Sequence, residues 1–471
     1  MNTKRYIVVT ATSFFLLVQA GCSCDADADE ADAGKNSDAQ QREDTGQSDD
    51  AGPTEEQRFR FALFSDPHFY DTDLGTGGQA FEAYIALDRK LLVESPAILD
   101  ATIEALQKNR KDFDFVIVPG DLTKDGERSS HEKFIARIRV LEERGLQVYV
   151  CPGNHDINNP DARSFEGETT IPVDSVTPEE FAELYADFGY RQAIERAPDS
   201  LGYLAEPVEG LWVLAIDSCK YRDNLASGIS EISGALSEST LSWIERVVAE
   251  AKQKKKSFFG FMHHNLVEHF TEQSKLPLLG DEYVVDDWMQ VSRRVAEAGL
   301  RLVFSGHYHA QDITKQSWQE SDLFLFDVET GSLITYPDPF RKVSIEKNGR
   351  VEITSEFVDS IDFDTDDLDF LEYSKRFLHS GIDNLAVDYL NLLGVSERDA
   401  LAMRPIAVET LLAHYAGDED PSEQSRLQVE GYMASSDLGV SVLAGYLKSL
   451  QTDLPPADND AIFNIETGEI E

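Results

Sequence analysis

Short apolar runs recur along the chain from Arg58 onward, and most of them end abruptly in polar residues. Phe59 to Phe64 reads as a buried strand, with Asp66 just past its carboxyl end. Phe113–Val118 repeats the pattern and ends at Gly120-Asp121, and Gln147–Cys151 ends at Gly153-Asn154-His155. Between them, apolar residues at helical spacing predict helices over Ala97–Lys108 and His131–Arg144. Further strands are predicted at Leu211–Ile216, Ser257–Met262, Leu300–Phe304, Asp322–Val328, Phe340–Ile345 and Val351–Phe357. Helices are predicted at Ser237–Lys255, where Ser237 is a natural N-cap, and at Asp286–Ala298. Strands alternating with helices argue an α/β fold, in which ligands gather beyond the carboxyl ends of the strands.

Two stretches break this rhythm. Residues 69–95, which include the polar, Gly-rich segment 70–80, read as an insertion that shapes a pocket, as do residues 157–200. The second is polar and loop-like apart from a helix near Pro178–Phe188. After Ser360 an acidic run leads into helical patterns over 368–393, 397–416 and 422–450, and residues from Pro455 read as loose. The organisation is thus a main domain over 58–360 and a helical C-terminal region over 361–471, with no internal repeat.

Composition changes the picture at two points. The formal net charge is −45, of which residues 25–56 carry part through twelve Asp/Glu against Lys35 and Arg42. Most of the charge therefore lies on the folded body. Such a surface repels nucleic acid, whose phosphates need Lys and Arg, so no nucleic-acid partner is expected. Residues 22–57 are rich in Asp, Ala, Gly and Ser, and read as a disordered acidic tether. Ahead of them, Lys4 and Arg5 precede a short apolar segment, Tyr6 to Val18, which ends in Val18-Gln19-Ala20-Gly21-Cys22. That segment is too short to span a membrane and reads as a signal peptide over 1–21. Small residues before Cys22 resemble the lipidation site of bacterial lipoproteins, although that pattern prefers Leu where Gln19 stands. The resemblance implies export to a bacterial cell envelope and membrane attachment through lipid at Cys22; Ser23 favours the outer membrane. Ordinary cleavage without lipid is the alternative. Cys151 and Cys219 fall at the ends of apolar runs and read as small buried hydrophobes, with a disulfide between them the alternative.

The candidate chemistry lies in five motifs: Asp66-Pro67-His68, Gly120-Asp121, Gly153-Asn154-His155-Asp156, His263-His264 and Gly306-His307-Tyr308-His309. Together they supply carboxylates, imidazoles and one amide, a set suited to holding two transition-metal ions. A two-metal site clamps both the entering and the leaving oxygen of a phosphate ester. If strand geometry persists, alternation puts Asp66 with His68, and His307 with His309, on common sides. By the same alternation only one of His263 and His264 can ligate, and His263 is favoured.

These motifs, in this order, resemble the calcineurin-like metallophosphoesterases, a family that includes purple acid phosphatases and many phosphodiesterases. The resemblance covers 58–358. It implies a four-layer α/β/β/α sandwich, here followed by the helical C-terminal region. It also implies one metal held by Asp66, His68, Asp121 and His309. A second would be held by Asp121, Asn154, His263 and His307, with Asp121 bridging. His155 would face the phosphate as general acid or charge stabiliser, with Asp156 orienting it, and a metal-bridging hydroxide would attack phosphorus. The metals would be Fe, Mn or Zn, and the substrate a small phosphodiester or phosphomonoester. The alternative is a non-catalytic, metal-stabilised surface binding lipoprotein that uses the helical region as its interaction module. Arg89, Lys90, Lys124, Arg128, His131, Lys220, Arg222, His269 and Arg341 are cations that could read the substrate, and Tyr70, Asn158 and Tyr308 could line its pocket.

Overall fold

The computed structural model describes residues 58–276, 280–417 and 419–471. The expected signal segment, acidic tether and lipidation at Cys22 lie outside the described residues. Among the described residues no helix is long and apolar enough to cross a membrane.

The apolar runs form two sheets. In the first, Arg58–Leu63, Phe115–Val118 and Gln147–Val150 run parallel, and Arg58–Leu63 also pairs antiparallel with Pro339–Glu346. In the second, Leu211–Ile216, Ser257–Met262, Leu302–Ser305 and Leu323–Glu329 are successive parallel neighbours. Phe61 of the first sheet stacks on Phe259 of the second at 5.0 Å and meets the edge of Phe304 at 5.4 Å, so the sheets lie face to face. Each such aromatic pair is worth about 0.5–1.5 kcal/mol beyond the area it buries. Helices Ser95–Lys108 and Arg128–Glu143 pack Leu99, Leu106, Phe134 and Ile138 into the core of the first sheet. Helices Glu238–Gln253 and Trp288–Ala298 bury Ile244, Val248 and Val295 against Leu214, Met262 and Val303 of the second. This is the α/β/β/α sandwich. Ser237 caps its helix by accepting from Thr240 N at 3.1 Å.

The C-terminal region is helical over Phe370–Leu392, Glu397–Ala416, Glu423–Met433 and Leu438–Leu450. Its own core includes Leu390, Met403, Ile406, Leu443 and Leu447. The single helix expected over 422–450 is two, because Asp437 starts a new one by accepting from Val440 N at 3.1 Å. The residues after Pro455 are not loose: Ala461–Asn464 joins the first sheet beside Arg350–Phe357, and Phe463 stacks on Phe326 at 4.1 Å. Strands Tyr203–Val208 and Asp312–Trp318 were not expected; Glu206-Pro207 and the polar alternation of the latter hide them from periodicity. The insertion 157–200 carries a hairpin, Arg163–Glu166 with Thr169–Pro172, besides its helix Pro178–Leu184. Cys151 and Cys219 are both free thiols, Cys151 buried and Cys219 partly so.

Candidate metal centre

All five motifs lie just beyond carboxyl ends of parallel strands, three from the first sheet and two from the second. Strand alternation does not aim the side chains, however. The strands stop at Leu63 and Ser305, and the chain then turns through left-handed backbone at Asp66 (φ 49°), His68 (34°), His307 (76°) and His309 (70°). Asp121 does the same (φ 46°). Each such non-glycine residue costs about 1–3 kcal/mol, which persists only where the surroundings enforce it and which points to a functional role.

Two ligand groups result. Asp66, His68, Asp121 and His309 each aim one ligand atom into a common space, and Asp121, His263 and His307 do likewise. Asp121 belongs to both. Its Oδ2 lies 3.5 Å from His68 Nε2 and 3.3 Å from His263 Nε2. His68 Nε2 and His309 Nε2 face each other at 3.0 Å, with Asp66 Oδ1 3.4 Å from the latter. Asn154 Oδ1 lies 2.8 Å from His263 Nε2 and so completes the second group. His264 points elsewhere: its Nδ1 is 2.8 Å from Ser218 Oγ, and its Nε2 donates to Ile232 O at 2.8 Å.

Outer hydrogen bonds fix the rings. His263 Nδ1 donates to Pro119 O (3.0 Å) and His307 Nε2 to Glu282 O (3.2 Å), which turns the opposite nitrogen of each ring toward the cluster. Asp66 accepts from Ser65 Oγ at 2.5 Å and from His307 N at 3.1 Å, tying the two sheets' loops together. Burial holds His68, His307 and His309 neutral by lowering their pKa values, the state that ligation requires. Burial opposes charge on His263 as well, but the Asp121 and Asp66 carboxylates outweigh it and raise the ring to about 9. Buried imidazole nitrogens facing one another beside two carboxylates fit a pair of bound cations.

The glycines of the motifs serve close approach. A Cβ on Gly153 would overlap the backbone nitrogen and Oδ1 of Asp121, and one on Gly306 would overlap Ser65 and Asp66. Gly153→Ala should therefore displace Asp121 and cost at least about 10²-fold in phosphoesterase activity, the scale of an ångström-sized misplacement. Metal content and turnover measured on the same sample would check it, and a fully loaded, fully active variant would refute it.

His155 stands at the edge of the cluster, its side chain 26% exposed. Asp156 does not orient it. The buried Asp156 carboxylate turns away and accepts from Leu122 N (3.1 Å), Thr123 N (3.0 Å), Thr123 Oγ1 (3.1 Å) and Gly153 N (2.8 Å), so it braces the loops that carry Asp121 and Asn154. The acid on the His155 ring is Asp125, whose Oδ1 is 2.9 Å from Nδ1. Burial works against charge on His155, but Asp121 and Asp125 raise its pKa. Asp125 was missed because an Asp four residues after Gly120-Asp121 reads as turn chemistry; only the fold turns it back to His155.

Of the nominated cations, most are engaged elsewhere. Lys124 pairs with Asp125 and with Glu127 (3.3 Å), Arg128 with Glu180, and Lys220 with Asp286 (2.5 Å). Arg222 donates to Asp199 O, and Arg341 to Glu329 O and Asp458 O at 2.7 Å each. His131 bonds Tyr185 OH (2.8 Å) and Asp156 O (2.9 Å), and His269 bonds Asp312 (2.7 Å). Arg89 donates to Tyr415 OH at 3.0 Å. Tyr70 is buried and donates to Gly75 O at 2.6 Å, Asn158 Nδ2 donates to Tyr221 O at 3.3 Å, and Tyr308 packs edge-on to Tyr283 at 4.7 Å.

A family model described as calcineurin-like phosphoesterase matches residues 59–311. Among solved structures, a dimetal phosphatase from Danio rerio is 13% identical with a TM-score of 0.45, covering 64% of this chain and 97% of its own. A purple acid phosphatase from yellow lupin (Lupinus luteus) seeds is 12% identical with a TM-score of 0.40, covering 64% of this chain and 52% of its own. No curated protein matches the chain.

Proposed function

The chain belongs to the calcineurin-like phosphoesterase family, and from that premise we propose that it is a dimetal phosphoesterase hydrolysing a small phosphodiester or phosphomonoester. The observation that carries this reading is the Asp121 carboxylate shared by two adjoining ligand groups. Asp66, His68, Asp121 and His309 would hold one ion, and Asp121, Asn154, His263 and His307 the other. Bound there, Fe, Mn or Zn ions supply Lewis acidity toward the phosphoryl oxygens and activate water near neutral pH. The protein's own part is to fix the ligands, neutralise the leaving group and manage protons. Asp125 holds the Nδ1 proton of His155, which leaves Nε2 to carry a proton toward the leaving oxygen or to stabilise its charge. General acid catalysis of this kind is worth about 10²–10⁴-fold.

The test is the purified full-length chain with Mn²⁺, assayed on bis-p-nitrophenyl phosphate and p-nitrophenyl phosphate beside His155→Ala. Turnover of either ester, reduced at least about 10²-fold in His155→Ala with metal retained, is the expected result. Bound metal without turnover of either ester would instead favour the binding-protein alternative.

A further inference from the structure

The two insertions meet over a lysine. Ala80 N, in helix Gln79–Ile85 of the first, donates to Gly167 O at 2.9 Å in the hairpin of the second. Tyr84 of that helix meets the edge of Phe165 at 5.4 Å. Against these rings lies Lys124, 1% exposed, with its Nζ 4.6 Å from the centre of Tyr84, 5.6 Å from Phe165 and 5.8 Å from Tyr70. Aromatic faces attract an ammonium and keep water from it, but they do not neutralise its charge.

Two carboxylates do that. Lys124 Nζ donates to Asp125 Oδ2 and, at 3.3 Å, to Glu127 Oε1. Asp125 N donates to Glu127 Oε2 at 3.2 Å, and Lys124 N to Phe69 O at 3.1 Å, so the turn 123–127 is tied at both ends. Gly126 (φ 72°) lets this turn press on the loop that carries His155: a Cβ there would stand 2.9 Å from His155 O and from Asp156 O. The other oxygen of Asp125, Oδ1, is the one on His155 Nδ1 at 2.9 Å, and His155 Nε2 lies 3.9 Å from Asp121 Oδ2. Lys124, Asp125 and His155 thus form a line that starts in a dry cage and ends at the candidate metal centre. The Asp125 carboxylate is 5% exposed, so water does little to hold it; the ammonium takes one oxygen and the imidazole the other.

We infer that Lys124 is a positioning residue for the reaction: by fixing Asp125 it fixes the His155 ring with Nε2 toward the leaving oxygen. This rests on the phosphoesterase reading. As the P–O bond breaks, the departing oxygen keeps the bonding electrons and takes the Nε2 proton, so a displaced ring costs most where the leaving group is a strong base. A buried cation that only filled the core would affect all esters alike. The two insertions act on the reaction through the cage they build around Lys124.

The experiment compares the full-length chain with Lys124→Met, Lys124→Arg and Lys124→Met/Glu127→Gln. It reads kcat and KM on phenyl and p-nitrophenyl phosphate and on their diesters, diphenyl and bis-p-nitrophenyl phosphate, together with metal content. It also follows the His155 Nδ1 proton by NMR of protein with isotope-labelled histidines, assigned by its loss in His155→Ala. Lys124→Met should lower kcat on the phenyl ester at least about tenfold more than on its p-nitrophenyl counterpart, because phenol is the more basic leaving group, with KM and metal content near wild type. It should also lose the Nδ1 proton signal, which exchanges with water once Asp125 no longer accepts from it. Lys124→Arg, which keeps a charge that aromatic faces accept, should restore most of the ratio and the signal. In Lys124→Met/Glu127→Gln one carboxylate leaves with the cation, so this variant carries the same signature if the single substitution does not fold. An equal loss on both leaving groups, lost metal, or an Nδ1 signal absent from wild type or unchanged in Lys124→Met would overturn the inference. If the wild-type chain turns over no ester, the function reading fails by itself, and the Nδ1 signal still decides whether Lys124 holds the Asp125–His155 pair.

Discussion

Asp121→Asn should abolish metal-dependent phosphoesterase activity, by about 10³-fold or more, without unfolding the chain. Asp121 is buried and belongs to both ligand groups. Asn keeps the size, and one oxygen can still accept from His155 N, as Oδ1 does now at 2.9 Å. What it loses is the negative charge and a second oxygen between His68 Nε2 and His263 Nε2. An NH₂ group there would turn a donor toward the cluster, where a cation needs a lone pair. A metal stabilises transition-state charge by several kcal/mol, and about 4 kcal/mol corresponds to about 10³-fold. Metal content by elemental analysis, a thermal melt and kcat/KM on both nitrophenyl esters check this together. Two ions still bound per chain, with kcat/KM within about tenfold of wild type, would remove Asp121 from its proposed bridging place.

The largest stability effect is expected at His269, which serves structure rather than substrate. Its ring is 1% exposed and meets Asp312 at 2.7 Å, Asp327 at 3.5 Å and Glu329 at 3.9 Å. Asp327 also accepts from Leu266 N (2.6 Å), Val267 N (3.2 Å) and Ser305 Oγ (2.8 Å). The cluster therefore anchors both loops that leave the second sheet toward His263 and His307. Burial pushes the Glu329 carboxyl well up. His269→Leu would strand Asp312 and Asp327 as buried neighbouring carboxylates, at a cost of about 3–5 kcal/mol and a fall in Tm on the order of 10 °C.

The same cluster gives a signed pH dependence. Burial opposes charge on His269, but Asp312 and Asp327 outweigh it and hold its pKa well above the ordinary 6.5. The folded value is raised, so the stabilisation is fully present below the unfolded value and is lost as pH rises through the folded one. Wild-type Tm should fall on alkaline titration, and that step should be missing in His269→Leu. Melts across neutral and alkaline pH decide it; identical alkaline profiles in the two proteins would sink this account.

His269 also illustrates what local sequence hides. As a single histidine in a polar stretch it looked like a substrate-reading cation, because nothing nearby in the chain announces Asp312 or Asp327. Asp125 was hidden in the same way, and so was the closing strand Ala461–Asn464, whose partner Arg350–Phe357 lies about a hundred residues earlier. By contrast, strands Leu211–Ile216 and Ser257–Met262 have the expected ends, and helix Ser95–Lys108 begins two residues before its expected start. Their periodicity is a property of neighbouring residues, and burial on the fold only reinforces it.

The sequence by itself determined the family, the α/β architecture and the helical C-terminal region, because apolar spacing and short motifs are written along the chain. It also named residues of the kind a dimetal site needs. Tertiary structure alone decided how they converge: through left-handed backbone past the strand ends, not through strand alternation. It also decided that Asp125 rather than Asp156 meets His155. These are contacts between segments up to hundreds of residues apart, fixed by packing and by satisfying buried charge, and no local pattern encodes them.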